Sequence, residues 1–142
     1  MKPQIMEVTM VKKIIPIILS ILLFSAVSMA QEQTSINVDA LSLCTAINER
    51  QPQDIASTFS TDVGRIYCFT KLSGADAPTT ISHIWYFNDK EMARLDLKVN
   101  AKNWRTWSSK KIIRQWKGNW RVDILSQNGK LLDSKKFTVG NE

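Results

Sequence analysis

Arg94-Leu95-Asp96-Leu97-Lys98-Val99 alternates a charged with an aliphatic residue at every step, a period that suits a strand and not a helix. Successive side chains of a strand point to opposite faces, so Leu95, Leu97 and Val99 face a core and Arg94, Asp96 and Lys98 face water. The same period recurs on both sides of this stretch. Upstream, Thr79 to Phe87 sets Ile81, His83, Trp85 and Phe87 against Ser82, Ile84 and Tyr86, and Gly64 to Leu72 sets Ile66, Cys68, Thr70 and Leu72 against Arg65, Tyr67 and Phe69. Earlier still, Leu41 to Ile47 sends Leu41, Leu43 and Ile47 to one face. Downstream, Arg105 to Ile113, Asn119 to Leu125 and Lys130 to Val139 read as strands, with Trp120, Val122 and Ile124 inward. Loops are expected at Arg50 to Asp62, where Pro52 cannot donate to a ladder, and at Gly74 to Pro78, with a turn at Asn88-Asp89-Lys90. Gln127-Asn128-Gly129-Lys130 predicts a hairpin with a type I′ turn. About seven strands at this spacing predict an all-β, antiparallel, two-sheet sandwich. It is immunoglobulin-like in architecture only, because both cysteines precede Trp85 instead of flanking a tryptophan.

The N-terminus reads as an address. Lys12 and Lys13 precede an apolar run from Ile14 to Phe24 and the small residues ending Ser28-Met29-Ala30, the pattern of a signal peptide cleaved after Ala30. The alternative is an uncleaved inner-membrane anchor. Ile14 to Ala30 is shorter than the roughly 20 residues that span hydrocarbon, and it carries Pro16 and three serines. Cleavage would leave a flexible segment, 31–40, ahead of one domain, 41–139, in the periplasm or outside the cell. It would also remove Lys2, Lys12, Lys13 and Glu7, reducing a whole-chain charge of +6 to a milder one. So modest a basic bias, in an exported chain, gives no support to nucleic-acid binding. A membrane would be met only through the uncleaved N-terminal segment.

The two cysteines, Cys44 and Cys68, would reside in an oxidising compartment, where a disulfide is the expected pairing. Such a bond would close a loop of about 25 residues and contribute on the order of 3 kcal/mol. A metal site formed with His83, the only histidine, would lack a fourth ligand and has no CxxC or HxxxH spacing, so no metal is expected.

Four of the five tryptophans, Trp104, Trp107, Trp116 and Trp120, fall in one block with Arg105, Lys110, Lys111, Arg114 and Lys117 and no acid. Indole and cation side by side make either a packing scaffold or a binding face. In the scaffold, Arg105, Arg114 and Arg121 would stack on indoles. In the binding face, Trp104, Arg105, Trp107, Lys110, Lys111 and Trp116 would meet a protein or cell-envelope partner, with a glycan stacked on exposed indoles as the alternative. Trp120 belongs to the core by parity, and Trp107 shares the mixed face of Arg105 and Ser109.

Several segments resemble the bacterial DUF2914 domain: Leu43-Cys44-Thr45-Ala46-Ile47, Ile66-Tyr67-Cys68-Phe69-Thr70, Thr79 to Tyr86, Trp104 to Lys110, and Gly118-Asn119-Trp120-Arg121-Val122. The resemblance runs from about Leu41 to Val139. It implies one compact extracytoplasmic or membrane-associated β domain and transfers no activity and no catalytic residues.

Neither catalysis nor a cofactor is expected. His83 sits in an apolar alternating segment, as a hydrogen-bonded core histidine does. Ser108 and Lys110 would share a strand face beside Thr106, an arrangement that only superficially suggests a Ser-Lys dyad. Asp89, Glu91 and Asp96 read as solvated surface, and no GxGxxG or GxxxxGK[ST] motif supports nucleotide binding.

Overall fold

The computed structural model describes residues 35–140, all of them strand or connection with no helix. The predicted signal segment and its cleavage point at Ala30 lie outside these residues. Ten strands follow in order: β1 (Asn37–Cys44), β2 (Ala46–Asn48), β3 (Gln51–Gln53), β4 (Thr58–Phe59), β5 (Arg65–Ser73), β6 (Thr79–Phe87), β7 (Lys90–Val99), β8 (Trp104–Lys111), β9 (Gly118–Ser126) and β10 (Leu131–Val139). They form a three-stranded sheet β1-β5-β8, a five-stranded sheet β4-β10-β9-β6-β7 and a small β2-β3 hairpin. The strand count and the two-sheet expectation are thus corrected by three short strands. Two of them fall where Pro52 argued for a loop. Pro52 is accommodated because β3 pairs on one side only, with Ile47 opposite it, so its missing N–H leaves no ladder bond unmade. Pairing is antiparallel except between β10 and the two-residue β4, which run parallel.

The two larger sheets enclose one core. Leu43, Ile66, Cys68 and Leu72 from the smaller sheet meet Ile81, Trp85, Trp120, Val122, Ile124, Phe137 and Val139 from the larger. All but Phe137 and Val139, for whose strand alternation assigned no face, lie on the side expected of them. Phe137 anchors the aromatic part: Phe59 and Trp85 contact it edge-on, and Trp120 stacks on it at 5.9 Å.

Turn chemistry departs from the expectation. At Asn128-Gly129 only Gly129 has positive φ (+86°), and its N–H donates to the Ser126 carbonyl while the Ser126 N–H reaches Lys130. A type I′ turn needs positive φ at both central residues, so this connection is instead a turn followed by a left-handed glycine, with a register shift beside it. The type I′ geometry occurs at Asn88-Asp89 (φ 46° and 64°) between β6 and β7, and at Glu49-Arg50 (49° and 60°) between β2 and β3.

The expected Cys44–Cys68 disulfide does not form; both thiols are free and buried. The reason is register. Cys68 lies opposite Leu43, and Cys44 lies opposite Tyr67, so the two side chains leave the sheet on opposite faces. Cys68 points into the core between the sheets. Cys44 points outward beneath the β2-β3 hairpin, whose connections bind the end of β1 through Thr45 N–H to the Gln53 carbonyl and Ala56 N–H to the Leu43 carbonyl. Burial pushes both thiols up, Cys68 well above the ordinary range.

Candidate functional site

The tryptophan block is divided by the fold into two places. At one, the strand β8 forms the edge of the three-stranded sheet, with Arg105, Trp107, Ser109 and Lys111 on the outer face and Trp104, Thr106, Ser108 and Lys110 on the inner. Trp104 and Trp107 are both half-buried, and Trp104 also packs on the core. Between them lies Arg50. Its guanidinium carbon is 5.6 Å from the Trp104 ring and 5.8 Å from the Trp107 ring, and its Nη2 donates to the Arg105 carbonyl at 3.0 Å. The type I′ turn at Glu49-Arg50 is what delivers this side chain. A groove of about 530 Å³ opens beside it, lined by Asp39, Arg50, Lys71, Asn103, Trp104 and Arg105. Further along β8, Arg65 Nη1 donates to Ser109 Oγ at 2.8 Å, opposite half-exposed Tyr67, and Lys111 is exposed.

The second place is the opposite end of β8. Lys110 Nζ stands 4.6 Å from the Trp116 ring, and Trp116 meets Trp120 edge-on at 6.0 Å while its carbonyl accepts from Trp120 Nε1. Burial first, and then the nearby Arg65 charge, lower the Lys110 pKa from its ordinary value. Of the six residues expected on one binding face, the fold therefore gathers Trp104, Arg105 and Trp107, carries Lys111 along the same strand, and sets Lys110 with Trp116 apart.

The expected cation–π partners are also different. Arg121 lies over Tyr86 at 4.3 Å, held by Asp89 (2.7 Å) and Asp123 (3.0 Å), which keep it firmly charged. Arg114 pairs in the open with Asp62. Arg50 is the cation that bridges two indoles. Sequence reasoning missed it because Asn48-Glu49-Arg50-Gln51 contains no glycine to announce a type I′ turn.

His83 and Ser108, twenty-five residues apart in the chain, meet in the core. His83 is 0% exposed and Ser108 4%. Ser108 Oγ lies 2.7 Å from His83 Nδ1 and accepts from Trp85 Nε1 at 3.0 Å; His83 Nε2 lies 3.4 Å from Thr70 Oγ1, which donates to the Thr106 carbonyl at 3.1 Å. The ends of this chain fix its direction. An indole N–H can only donate and a carbonyl can only accept, so Ser108 donates to Nδ1 and the neutral ring donates from Nε2–H to Thr70. Burial pushes the His83 pKa down to about 3. Ser108 and Lys110 share a strand face, but it is His83 that Ser108 contacts. Cys44 and Cys68 leave their sheet on opposite faces, so the Cys/Cys/His set cannot converge, and among the described residues no group of three His, Cys, Asp or Glu is placed to hold a metal ion.

A larger groove, about 670 Å³, crosses the outer side of the five-stranded sheet, lined by polar groups including Ser57, Thr58, Asn88, Asn119, Arg121 and Lys136. Of its two cations, Arg121 is already paired with Asp89 and Asp123, and Lys136 lies exposed on β10.

The family model of DUF2914, a protein of unknown function, matches residues 78–139. The match spans β6 to β10, with His83, Trp85, Ser108 and all of the tryptophan block inside it. Arg50, Cys44 and Cys68 lie outside it. No curated protein matches the chain.

Proposed function

We propose that this chain is an exported, non-catalytic β domain, immunoglobulin-like in its two facing sheets, that binds a protein of the cell envelope through the outer face and edge of β8. The observation that carries the reading is the Arg50 guanidinium held between half-buried Trp104 and Trp107 at an unpaired sheet edge. Tryptophan and arginine are the residues most enriched at binding hot spots. Here they are fixed in place before any partner arrives, which lowers the ordering cost of binding. The buried His83–Ser108 pair supports a structural role, since its hydroxyl is already engaged by Trp85 and sealed from water.

The glycan reading draws less from the same geometry. Trp104 and Trp107 leave β8 on opposite faces, and a cation lies between them, so the indoles do not offer one flat platform to a sugar ring.

Pull-down from solubilised cell envelopes tests the interface. Trp107→Ala combined with Lys111→Ala should weaken capture of the bound protein by roughly thirtyfold, a hot-spot loss of about 2 kcal/mol. Unchanged capture together with a sharply lower melting temperature would show that Trp107 only packs, and would sink the interface.

A further inference from the structure

We propose that the open edge of β8 takes up an extended acidic segment of the partner protein, which joins the three-stranded sheet as its fourth strand. This rests on the binding reading above and specifies its partner. β8 is the terminal strand of β1-β5-β8, and two contacts fix which of its backbone groups point away from β5. Just beyond β8, Ile112 N–H donates to the Gly64 carbonyl at 2.9 Å, so the even-numbered residues turn their amides toward β5. The Arg105 carbonyl accepts from Arg50, so the odd-numbered residues turn theirs away. Arg105, Trp107, Ser109 and Lys111 therefore line the open edge with N–H and C=O groups, the template on which a further strand assembles.

The side chains decide what kind of strand. β5 and β8 carry Arg65, Lys71, Arg105, Lys110 and Lys111 and no acid. A second copy of this chain would set like charges against one another, and directly opposed like charges destabilise a strand pair. An acidic strand instead brings a carboxylate opposite Lys111 and a side chain opposite the Trp107 ring. Arg50 closes the N-terminal end of the row by occupying the Arg105 carbonyl, so the incoming segment pairs from Trp107 onward.

The test uses the full chain and three acetylated ten-residue peptides: alternating Glu and Val, the same peptide with two central valines replaced by proline, and alternating Lys and Val. The Glu–Val peptide should bind and slow amide hydrogen exchange at Trp107 and Ser109; the proline and lysine peptides should bind at least tenfold more weakly. Ser109→Pro, which removes an edge N–H without touching the β5 ladder, should weaken Glu–Val binding at least tenfold. Ser109→Ala, which loses only the hydroxyl, should not. Equal binding of the proline peptide, or binding without slowed exchange at Trp107 and Ser109, overturns strand addition, and so does failure of the Glu–Val peptide to bind. None of these results touches the envelope pull-down, so the two ideas fail separately. Should Ser109→Pro not fold, the exchange measurement on the unaltered chain decides alone.

Discussion

Replacing Trp85 by alanine is expected to cost about 3–5 kcal/mol, a large share of the roughly 5–15 kcal/mol that a domain of this size commands. Trp85 has no exposed surface, packs edge-on against Phe137 at 6.1 Å and supplies the donor that Ser108 accepts. The truncation removes an indole from between the sheets and leaves Ser108 short of a partner, so cavity and polar penalties add. At roughly 4–8 °C per kcal/mol, the melting temperature should fall by more than 10 °C, and unfolding should begin at much lower denaturant. Trp85→Phe keeps most of the apolar contact and loses the N–H, so it should fall between the two. Equilibrium urea unfolding of the three proteins checks this ranking. A loss under 1 kcal/mol for alanine would mean that Trp85 is not central to the core.

Acid is expected to destabilise the fold through His83, and the sign follows from its environment. The ring is held neutral inside the sandwich, with a pKa pushed down to about 3, whereas in the unfolded chain it titrates near 6.5. Above pH 6.5 it is neutral in both states and adds no pH dependence. Between pH 6.5 and about 3 the unfolded chain binds a proton that the folded chain refuses, so stability falls with falling pH by up to about 1.4 kcal/mol per unit. Protonation would also place a second donor on Nδ1, facing a Ser108 hydroxyl that now donates to it. Urea unfolding of the wild type and His83→Gln across pH 3.5 to 7.5 isolates this contribution: the variant starts less stable at neutral pH and should show a shallower acid slope. Parallel slopes would place the acid sensitivity elsewhere.

Much of this architecture is legible in the sequence because its strands are half-buried, and half-burial writes a period of two. Leu95-Asp96-Leu97, Ile66 to Leu72 and Trp120 to Ile124 each fall on the predicted face. Ends were read less well. β7 begins at Lys90 and not at Arg94, because the tight turn sits at Asn88-Asp89 and pairing starts immediately after it. What alternation cannot carry is register. Whether Cys44 lies opposite Cys68 or Tyr67 depends on how β1 slides along β5, and one residue of slip moves a thiol to the other face. The proposed site suffered from the same limit. Trp104, Arg105 and Trp107 were visible as neighbours in sequence, but Arg50 is fifty-five residues from Arg105 and reaches it only through a hairpin that carries no glycine signal. Likewise nothing in the sequence joins His83 to Ser108, because only the packing of one sheet on the other unites them.

Photo-crosslinking in the producing cell tests the binding face most directly. A benzoylphenylalanine placed at Trp107, on the outer face of β8, should give a discrete protein adduct on irradiation. The same residue at Lys136, on the outer side of the five-stranded sheet, should give none. Adducts at both positions, or at Lys136 alone, would contradict a binding site at the Arg50–Trp107 edge.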